Sequence, residues 1–233
     1  KFLNILEIIA ESDTSTAWCL NQNNVWSTSS TRMPESTASE IWKEQRAVVT
    51  NGPPSGACKA IPTEDGHIVS GRWNFSSGCT HATWIAALCP IGNKDGSTLV
   101  STDRKDMKIF LIPKKQVEFV DTWDAKGMRG TSSFGFELSD MFVPSNHSYD
   151  QDDAEPGNNG PHYIIPRTLL FAAGFSTVAL ATAKASIDIA VDFASAGQSG
   201  RKQALMRDQG TVQRSIGEAR AIYSASRAFL RDS

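Results

Sequence analysis

The sequence predicts an α+β protein with a helical N-terminal part, a central antiparallel β-domain and an incomplete C-terminal helical bundle. Apolar residues recur at helical spacing near the start, short alternating runs broken by Gly, Pro and Asp follow, and long helical patterns return at the end. With 233 residues and 40% hydrophobic content, the chain is long and apolar enough to bury a core.

Residues 1–49 are predicted to be the end of an N-terminal helical domain. A capping box, Thr37-Ala38-Ser39-Glu40, predicts the start of a helix that continues into Ile41-Trp42. The apolar side chains of the first helix follow one helix face: Phe2, Ile5, Leu6 and Ile9.

Residues 50–150 are predicted to form the central β-domain, which would hold a flavin-contacting strand. The dipeptide Asp65-Gly66 is a favoured tight turn and predicts a hairpin. Its two strands would span residues 58–61 and 68–73, and further strands are expected at 83–88, 108–112, 117–122 and 134–143.

Residues 151–233 are predicted to be a linker and the start of a C-terminal helical domain. The acidic, glycine-rich stretch 150–160 is expected to be a solvated loop. Helices are expected over 167–196 and 203–230. Because two helices do not enclose a bundle and the first residue is Lys1, we expect an internal fragment of a longer protein.

Composition excludes several classes of function. The net charge is −2 and no basic block occurs, so nucleic acid is not expected as a partner. The longest charge-free run is roughly 16 residues, shorter than the ~20 of a membrane span, so we expect a buried soluble helix and no membrane. Four cysteines without C-x-x-C spacing predict reduced thiols in a cytoplasmic protein, and the scattered histidines predict no metal site.

Two motifs carry the chemical signal. Residues 71–78 (GRWNFSSG) place an aromatic ring and two hydroxyls on a strand that leads into a glycine-relieved bend, and residues 123–133 form a second unusual run. On such a strand Phe75 can lie against a flat cofactor while Ser77 hydrogen-bonds its edge. Rossmann and P-loop glycine fingerprints are absent from the sequence, so the two motifs favour flavin chemistry.

These motifs and the order of the three parts resemble the acyl-CoA dehydrogenase superfamily. The resemblance is narrower to its flavin-dependent monooxygenase branch, the oxygenase components of two-component aromatic hydroxylases. It covers nearly the whole chain and implies FAD or FMN, reduced by a separate flavin reductase, in a homotetramer. The supporting strings are residues 13–19, 71–78, 127–133 and 142–144.

The resemblance also assigns residues. It implies that Ser77 and His81 are catalytic, with Ser77 near the redox-active flavin nitrogen and His81 taking the proton of a phenolic substrate. In the dehydrogenase flavin loop only Pro53 and Gly56 match, and the hydroxyl expected at Ala57 is missing. The implied cofactor-binding residues are Trp73, Phe75, Ser76, Ser77, Arg129, Thr131 and Arg201, and Ser133 lies in the second motif.

Each assignment has an ordinary structural alternative. Trp73 and Trp84 can be core residues, Ser77 can satisfy a strand end, His81 can pack or cap, and Arg129 can be a solvated turn residue.

Two other functions stay open on the sequence. An FAD-dependent acyl-CoA dehydrogenase would act on an acyl thioester with a carboxylate base from the C-terminal bundle, and a non-enzymatic chain would serve only as an oligomeric helical scaffold.

Overall fold

The computed structural model describes residues 1–93, 107–151, 160–196, 198–199 and 204–232. Contacts divide the chain into two compact units, Lys1–Asn21 with Thr168–Ser233 and Gln22–Arg167. The helices are α1 (Phe2–Ser12), α2 (Thr14–Ser27), α3 (Glu35–Trp42), α4 (Pro161–Ile164), α5 (Arg167–Ala196) and α6 (Gly210–Asp232). The strands are β1 (Val49–Gly52), β2 (Lys59–Pro62), β3 (Gly66–Ser76), β4 (Trp84–Pro90), β5 (Met107–Pro113), β6 (Glu118–Val120), β7 (Phe134–Pro144), β8 (Ser148–Asp150), β9 (Gln198–Ser199) and β10 (Ala204–Leu205).

The unit formed by both ends of the chain is helical. Small residues let its helices pack closely, and a cluster of Ala10, Ala17, Val178 and Ala181 is buried. The ring of Trp18 stacks on Phe175 with 3.9 Å between centroids. Arg227 and Arg231 of α6 both bond the carboxylate of Glu7 in α1, which lowers the pKa of that carboxyl.

The middle unit is a β-sandwich of two four-stranded sheets, ordered β1-β4-β5-β8 and β2-β3-β7-β6. Inward side chains of both sheets form one core, in which Trp73, Phe110 and Phe136 are fully buried. The six predicted strands are present as β2 to β7. The Asp65-Gly66 hairpin is confirmed as well, because β2 pairs antiparallel with β3.

Three details differ from the sequence predictions. The sheets are not purely antiparallel, since β1 pairs parallel to β4. The capping-box prediction at Thr37–Glu40 is wrong: α3 begins at Glu35 after Pro34, so Thr37 lies inside the helix. A helix predicted over 203–230 begins at Gly210, and most of the predicted 150–160 loop lies outside the described residues.

Helix α5 has the predicted bounds but is not buried all round. By length and composition it is the one helix among the described residues that could cross a membrane, and 22% of its apolar window is buried. Gly174, Thr177 and Val178 belong to the buried stripe, whereas Ile189 and Phe193 are exposed. The predicted buried helix therefore buries one face only.

Trp73 gives a direct test of the core. Its Nε1 donates to the carbonyl oxygen of Leu88 at 2.9 Å, and its ring stacks on Phe136 with centroids 4.9 Å apart. We expect Trp73→Phe to lower the free energy of unfolding by about 2 kcal/mol, because it removes this hydrogen bond and leaves a small cavity in the core. Urea denaturation followed by fluorescence measures this loss.

Trp42→Phe is the matched control. The Nε1 atom of Trp42 is buried without a hydrogen-bond partner among the described residues. Trp42→Phe therefore removes no hydrogen bond. The control should cost clearly less than Trp73→Phe, and equal losses would contradict the role given to the Leu88 bond.

Candidate flavin site

Strand β3 carries a β-bulge inside the predicted flavin motif. Between Trp73 and Ser76, two residues of β3 stand opposite the single residue Gly135 of β7. A Cβ atom at Gly135 would lie 2.7 Å from the side-chain oxygen of Asn74, so glycine leaves room for the bulge. Bulges redirect nearby side chains and recur beside active sites. This one places Phe75 on the surface.

Phe75 is an exposed aromatic residue with a strained backbone. It is 59% exposed, and its φ of 58° lies in the left-handed region, which costs a non-glycine residue about 1–2 kcal/mol. The edge of the Trp123 ring meets it with 6.0 Å between centroids and planes at 83°. Since neither strain nor exposure helps folding, this arrangement points to a ligand-binding surface.

A cluster of buried hydroxyls lies immediately after Phe75 in the chain. The Oγ of Ser77 is 2.8 Å from the Oγ of Ser133, which is 2.7 Å from Oγ1 of Thr131. Thr131 in turn donates to the carbonyl oxygen of Met128 at 2.9 Å. The hydroxyl of Thr50 on β1 donates to the carbonyl oxygen of Ser77 at 2.6 Å. The two sequence motifs thus meet through side-chain hydrogen bonds.

The backbone around this cluster is also strained. Met128 and Ser132 have φ values of 54° and 44°, and the N–H of Gly78 donates to the carbonyl oxygen of Thr131 at 2.7 Å. Backbone strain of this kind concentrates at functional sites. Burial raises the pKa of the adjacent Cys79 thiol, which donates to the Ser132 carbonyl oxygen at 3.1 Å.

Ser76 supplies a buried polar atom of a different kind. The residue is fully buried, and its Oγ has no hydrogen-bond partner among the described residues. A Cβ atom on Gly52 would lie 2.7 Å from that oxygen. A buried hydroxyl without a protein partner is unusual, and this one lies against β1 with no exposed surface.

The predicted flavin loop, residues 51–58, lies along β3. The N–H of Ser55 donates to the carbonyl oxygen of Arg72 at 2.8 Å, and the N–H of Asn74 donates to that of Pro53 at 3.1 Å. Asn74 also donates through Nδ2 to the Oγ of Ser55 at 2.8 Å. The family resemblance implies a hydroxyl at position 57, where this chain has Ala57. Ser55, two residues earlier in the same loop, carries a hydroxyl instead.

Two side-chain contacts near the candidate site were not predicted from the sequence. Trp123 lies in the second motif, but nothing local showed that it would meet Phe75. Asn51, the first residue of the loop, is anchored because its Oδ1 accepts from Nε2 of Gln22 at 2.5 Å and from Nε1 of Trp26 at 2.8 Å. Only the long-range packing of α2 on β1 reveals that network.

The remaining predicted residues fall into four groups. Trp73 is fully buried in the sandwich core, where it has no exposed surface to offer a cofactor, so we leave it out of the proposed site. Trp84 stacks on the ring of His147, with centroids 5.5 Å apart. His81 and Arg129 are exposed beside the hydroxyl cluster, one in the turn after Gly78 and one in the turn before Thr131. Arg201 lies outside the described residues.

Comparison with solved structures shows the fold. XiaF from Streptomyces, solved with FADH2 and glycerol, superposes with a TM-score of 0.85 at 20% identity, covering 98% of this chain and 58% of that one. Butyryl-CoA dehydrogenase from Megasphaera elsdenii gives 0.78 at 14% identity, covering 99% and 61%. The chain has the acyl-CoA dehydrogenase-like fold.

Curated relatives of this acyl-CoA dehydrogenase-like chain are named as hydroxylases and flavin-dependent monooxygenases. It is 28% identical to the pigment production hydroxylase of Rhodococcus erythropolis over 201 residues, covering 82% of this chain and 50% of the relative. It is 35% identical to the flavin-dependent monooxygenase oxygenase subunit HsaA of Mycobacterium tuberculosis over 136 residues, covering 54% and 32%. The chain spans half or less of the length of these relatives. No family model matches it.

Proposed function

We propose that this chain is part of the oxygenase component of a two-component flavin-dependent monooxygenase. The enzyme would take reduced FAD or FMN from a separate flavin reductase and use O2 to hydroxylate an aromatic or other hydrophobic small molecule. The observation that carries the proposal is the strained, exposed Phe75 beside a buried hydroxyl cluster, in a chain whose relatives are named as flavin-dependent hydroxylases.

The residues present fit a flavin. Phe75 and Trp123 offer a rigid apolar surface for a flat ring, while Ser77 would offer a hydrogen bond at its edge. Ser76, like Trp73, is fully buried and has no exposed surface to offer the ring. When bound, the flavin supplies the oxygen chemistry, and the protein's tasks are orientation and exclusion of water.

Other residues have roles in the same proposal. Two residues of the second motif would contact the flavin: Arg129, which is exposed, and Thr131, which belongs to the buried hydroxyl cluster. Arg201 would be a further cation that binds the phosphates of the flavin. His81 would accept the proton of a phenolic substrate, because an imidazole ring nitrogen can act as a general base.

Assembly and location belong to the proposal as well. We propose a cytoplasmic homotetramer that binds neither nucleic acid nor a membrane. Exposed apolar residues on the C-terminal helices, including Ile189, Phe193, Ile222 and Phe229, support assembly because such side chains are normally covered.

The relatives favour the monooxygenase over the acyl-CoA dehydrogenase alternative. The named ones include an FADH2-dependent resorcinol hydroxylase of Rhizobium and a p-hydroxyphenylacetate hydroxylase oxygenase component of Acinetobacter baumannii. Ala57 also lacks the hydroxyl that the dehydrogenase loop carries. A helical scaffold would not require a strained aromatic residue next to buried hydroxyls, so this arrangement does not support the scaffold alternative.

The test uses the full-length protein with chemically reduced flavin, O2 and a panel of phenols. We expect oxygen uptake that depends on a phenol and a product with one added oxygen atom, detected by mass spectrometry. The same preparation is offered acyl-CoA thioesters with an artificial electron acceptor. Acceptor reduction without phenol hydroxylation would support the dehydrogenase instead, and a protein that binds no flavin would support the scaffold.

A further inference from the structure

Two cysteines lie opposite each other in the core of the sandwich. Ala60 of β2 and Ile91, the residue after β4, form a parallel bridge, and the N–H of Gly92 donates to the carbonyl oxygen of Ala60 at 2.8 Å. Cys58 and Cys89 stand two residues earlier on the same two segments. Because side chains alternate along extended backbone, a step of two residues keeps the same side of the strand. The bridge therefore brings the two cysteines together.

The two thiols are in hydrogen-bond contact. The thiol of Cys89 donates to the sulfur of Cys58, which lowers the pKa of the Cys58 thiol, whereas burial opposes that shift. The same contact and burial both raise the pKa of the Cys89 thiol. Both residues belong to the buried core cluster and are free thiols in the structure. The pair thus combines a sulfur that ionises more readily than an ordinary thiol with one that stays protonated.

We propose that Cys58 and Cys89 form a reversible disulfide when hydrogen peroxide is the oxidant. The sulfur of Cys58 attacks one peroxide oxygen and the O–O bond breaks, which gives a sulfenic acid and one water molecule. The sulfur of Cys89 then attacks the Cys58 sulfur and displaces its hydroxyl group as a second water molecule. In total, two thiols are oxidised to one disulfide and one hydrogen peroxide is reduced to two water molecules.

Exposure and spacing are compatible with this order of attack. Cys58 directly follows the exposed residues Gly56 and Ala57 and is itself 7% exposed, whereas Cys89 is 0% exposed. A small oxidant therefore meets the Cys58 sulfur first. Neighbouring strands lie about 4.8 Å apart, within the roughly 4.4–6.8 Å separation of Cα atoms that disulfides join. The disulfide can close without separating the two segments.

The disulfide would fasten the end of the predicted flavin loop to β4. Cys58 is the last residue of that loop, and a Cβ atom at Gly71 would lie 2.4 Å from the Cβ of Cys58. The cysteine thus packs against the first residue of the 71–78 motif. Disulfides in reducing compartments are usually transient, so we expect a link that thiol reductants reopen. Its formation requires peroxide alone and does not depend on the proposed function.

The experiment treats the reduced full-length protein, without flavin, with increasing hydrogen peroxide. The remaining thiols are alkylated, and the protein is digested and analysed by mass spectrometry without reduction. We expect a cross-linked peptide that contains Cys58 and Cys89, weighs two hydrogen atoms less than the two free peptides together, and separates on treatment with a thiol reductant. Absence of this peptide at every peroxide concentration would overturn the proposal.

Substitutions test the order of attack. Cys89→Ser keeps a hydrogen-bond donor beside Cys58 but cannot close a disulfide, so the sulfenic acid should persist and be labelled by dimedone at Cys58. Cys58→Ser should leave Cys89 unlabelled, and a label on Cys89 instead would overturn the assignment of Cys58 as the attacking sulfur.

Cys79→Ala is the matched control. Cys79 is also buried, but its thiol donates to the carbonyl oxygen of Ser132 and burial raises its pKa. This variant should form the same cross-linked peptide in full, and its loss would show that the link is not confined to the Cys58–Cys89 pair. Flavin binding is measured separately on the same preparation. A protein that forms the disulfide but binds no flavin would overturn only the proposed function.

Discussion

Gly52→Ala is expected to abolish flavin binding and to lower the free energy of unfolding by about 3 kcal/mol, the upper range for overpacking a buried site. Gly52 ends β1 and is buried against β3. An added Cβ would overlap the carbonyl oxygen of Asn74 and lie 2.7 Å from the Oγ of Ser76. Because the overlap is with backbone, β1 and the bulge of β3 must separate, and that displacement moves Phe75.

Gly127→Ala is the matched control for this change. No heavy atom lies within 4 Å of a Cβ built at Gly127. The free energy of unfolding of the variant should therefore lie within about 0.5 kcal/mol of that of the original protein. Denaturation by urea gives the stability of each variant, and fluorescence titration gives its flavin affinity. A Gly52→Ala protein that matched the control in both measurements would contradict the close approach of β1 to the bulge.

Periodicity and turn chemistry were sufficient for most of the fold. The alternation in residues 134–143 predicted β7, and Asp65-Gly66 predicted the β2–β3 hairpin. Both signals are local, because alternating burial and tight turns depend on residues near in sequence. The parallel pairing of β1 with β4 is not local, and no pattern within either strand distinguishes it from an antiparallel pair.

The capping box shows how a local signal can mislead. Thr37 and Glu40 have the right types and spacing, yet Pro34 is the N-cap and the helix begins at Glu35. Pro34 has an extended ψ of 142°, and a proline disfavours helical backbone at the residue before it, so the helix does not extend further toward the N-terminus. Two competing start signals lay three residues apart, and the proline determined the boundary.

Residue types in the site were predictable, but their arrangement was not. The motif showed Phe75 and Ser77 as candidates, and the resemblance placed a flavin beside them. The left-handed φ of Phe75, the bulge opposite Gly135 and the hydrogen bond between Ser77 and Ser133 all depend on contacts of β3 and the turn after it with β7 and the segment before β7. Trp73 and Phe75 are two residues apart, and a regular strand would place both on one face. The bulge separates them, so that Trp73 is buried and Phe75 is exposed.

Phe75→Ala is expected to weaken flavin binding by roughly 10- to 100-fold, since covering a phenylalanine ring contributes about 1.5–3 kcal/mol. Stability should respond differently. Alanine keeps the strained left-handed backbone at φ 58°, whereas Phe75→Gly relieves it. The glycine variant should therefore be more stable than the alanine variant by about 1 kcal/mol, the reverse of the usual order.

Phe142→Ala separates a specific effect from the loss of any exposed aromatic residue. Phe142 is 47% exposed on β7, but it lies in a separate cleft with His147 and Glu40, so its removal should leave flavin affinity unchanged. Calorimetry of all three variants gives the stability order, and titration with flavin gives the affinities. Equal flavin affinities for Phe75→Ala and Phe142→Ala would remove Phe75 from the site. A glycine variant less stable than the alanine variant would show that the bulge carries no strain at this residue, and the case for a ligand-binding surface there would lose its physical basis.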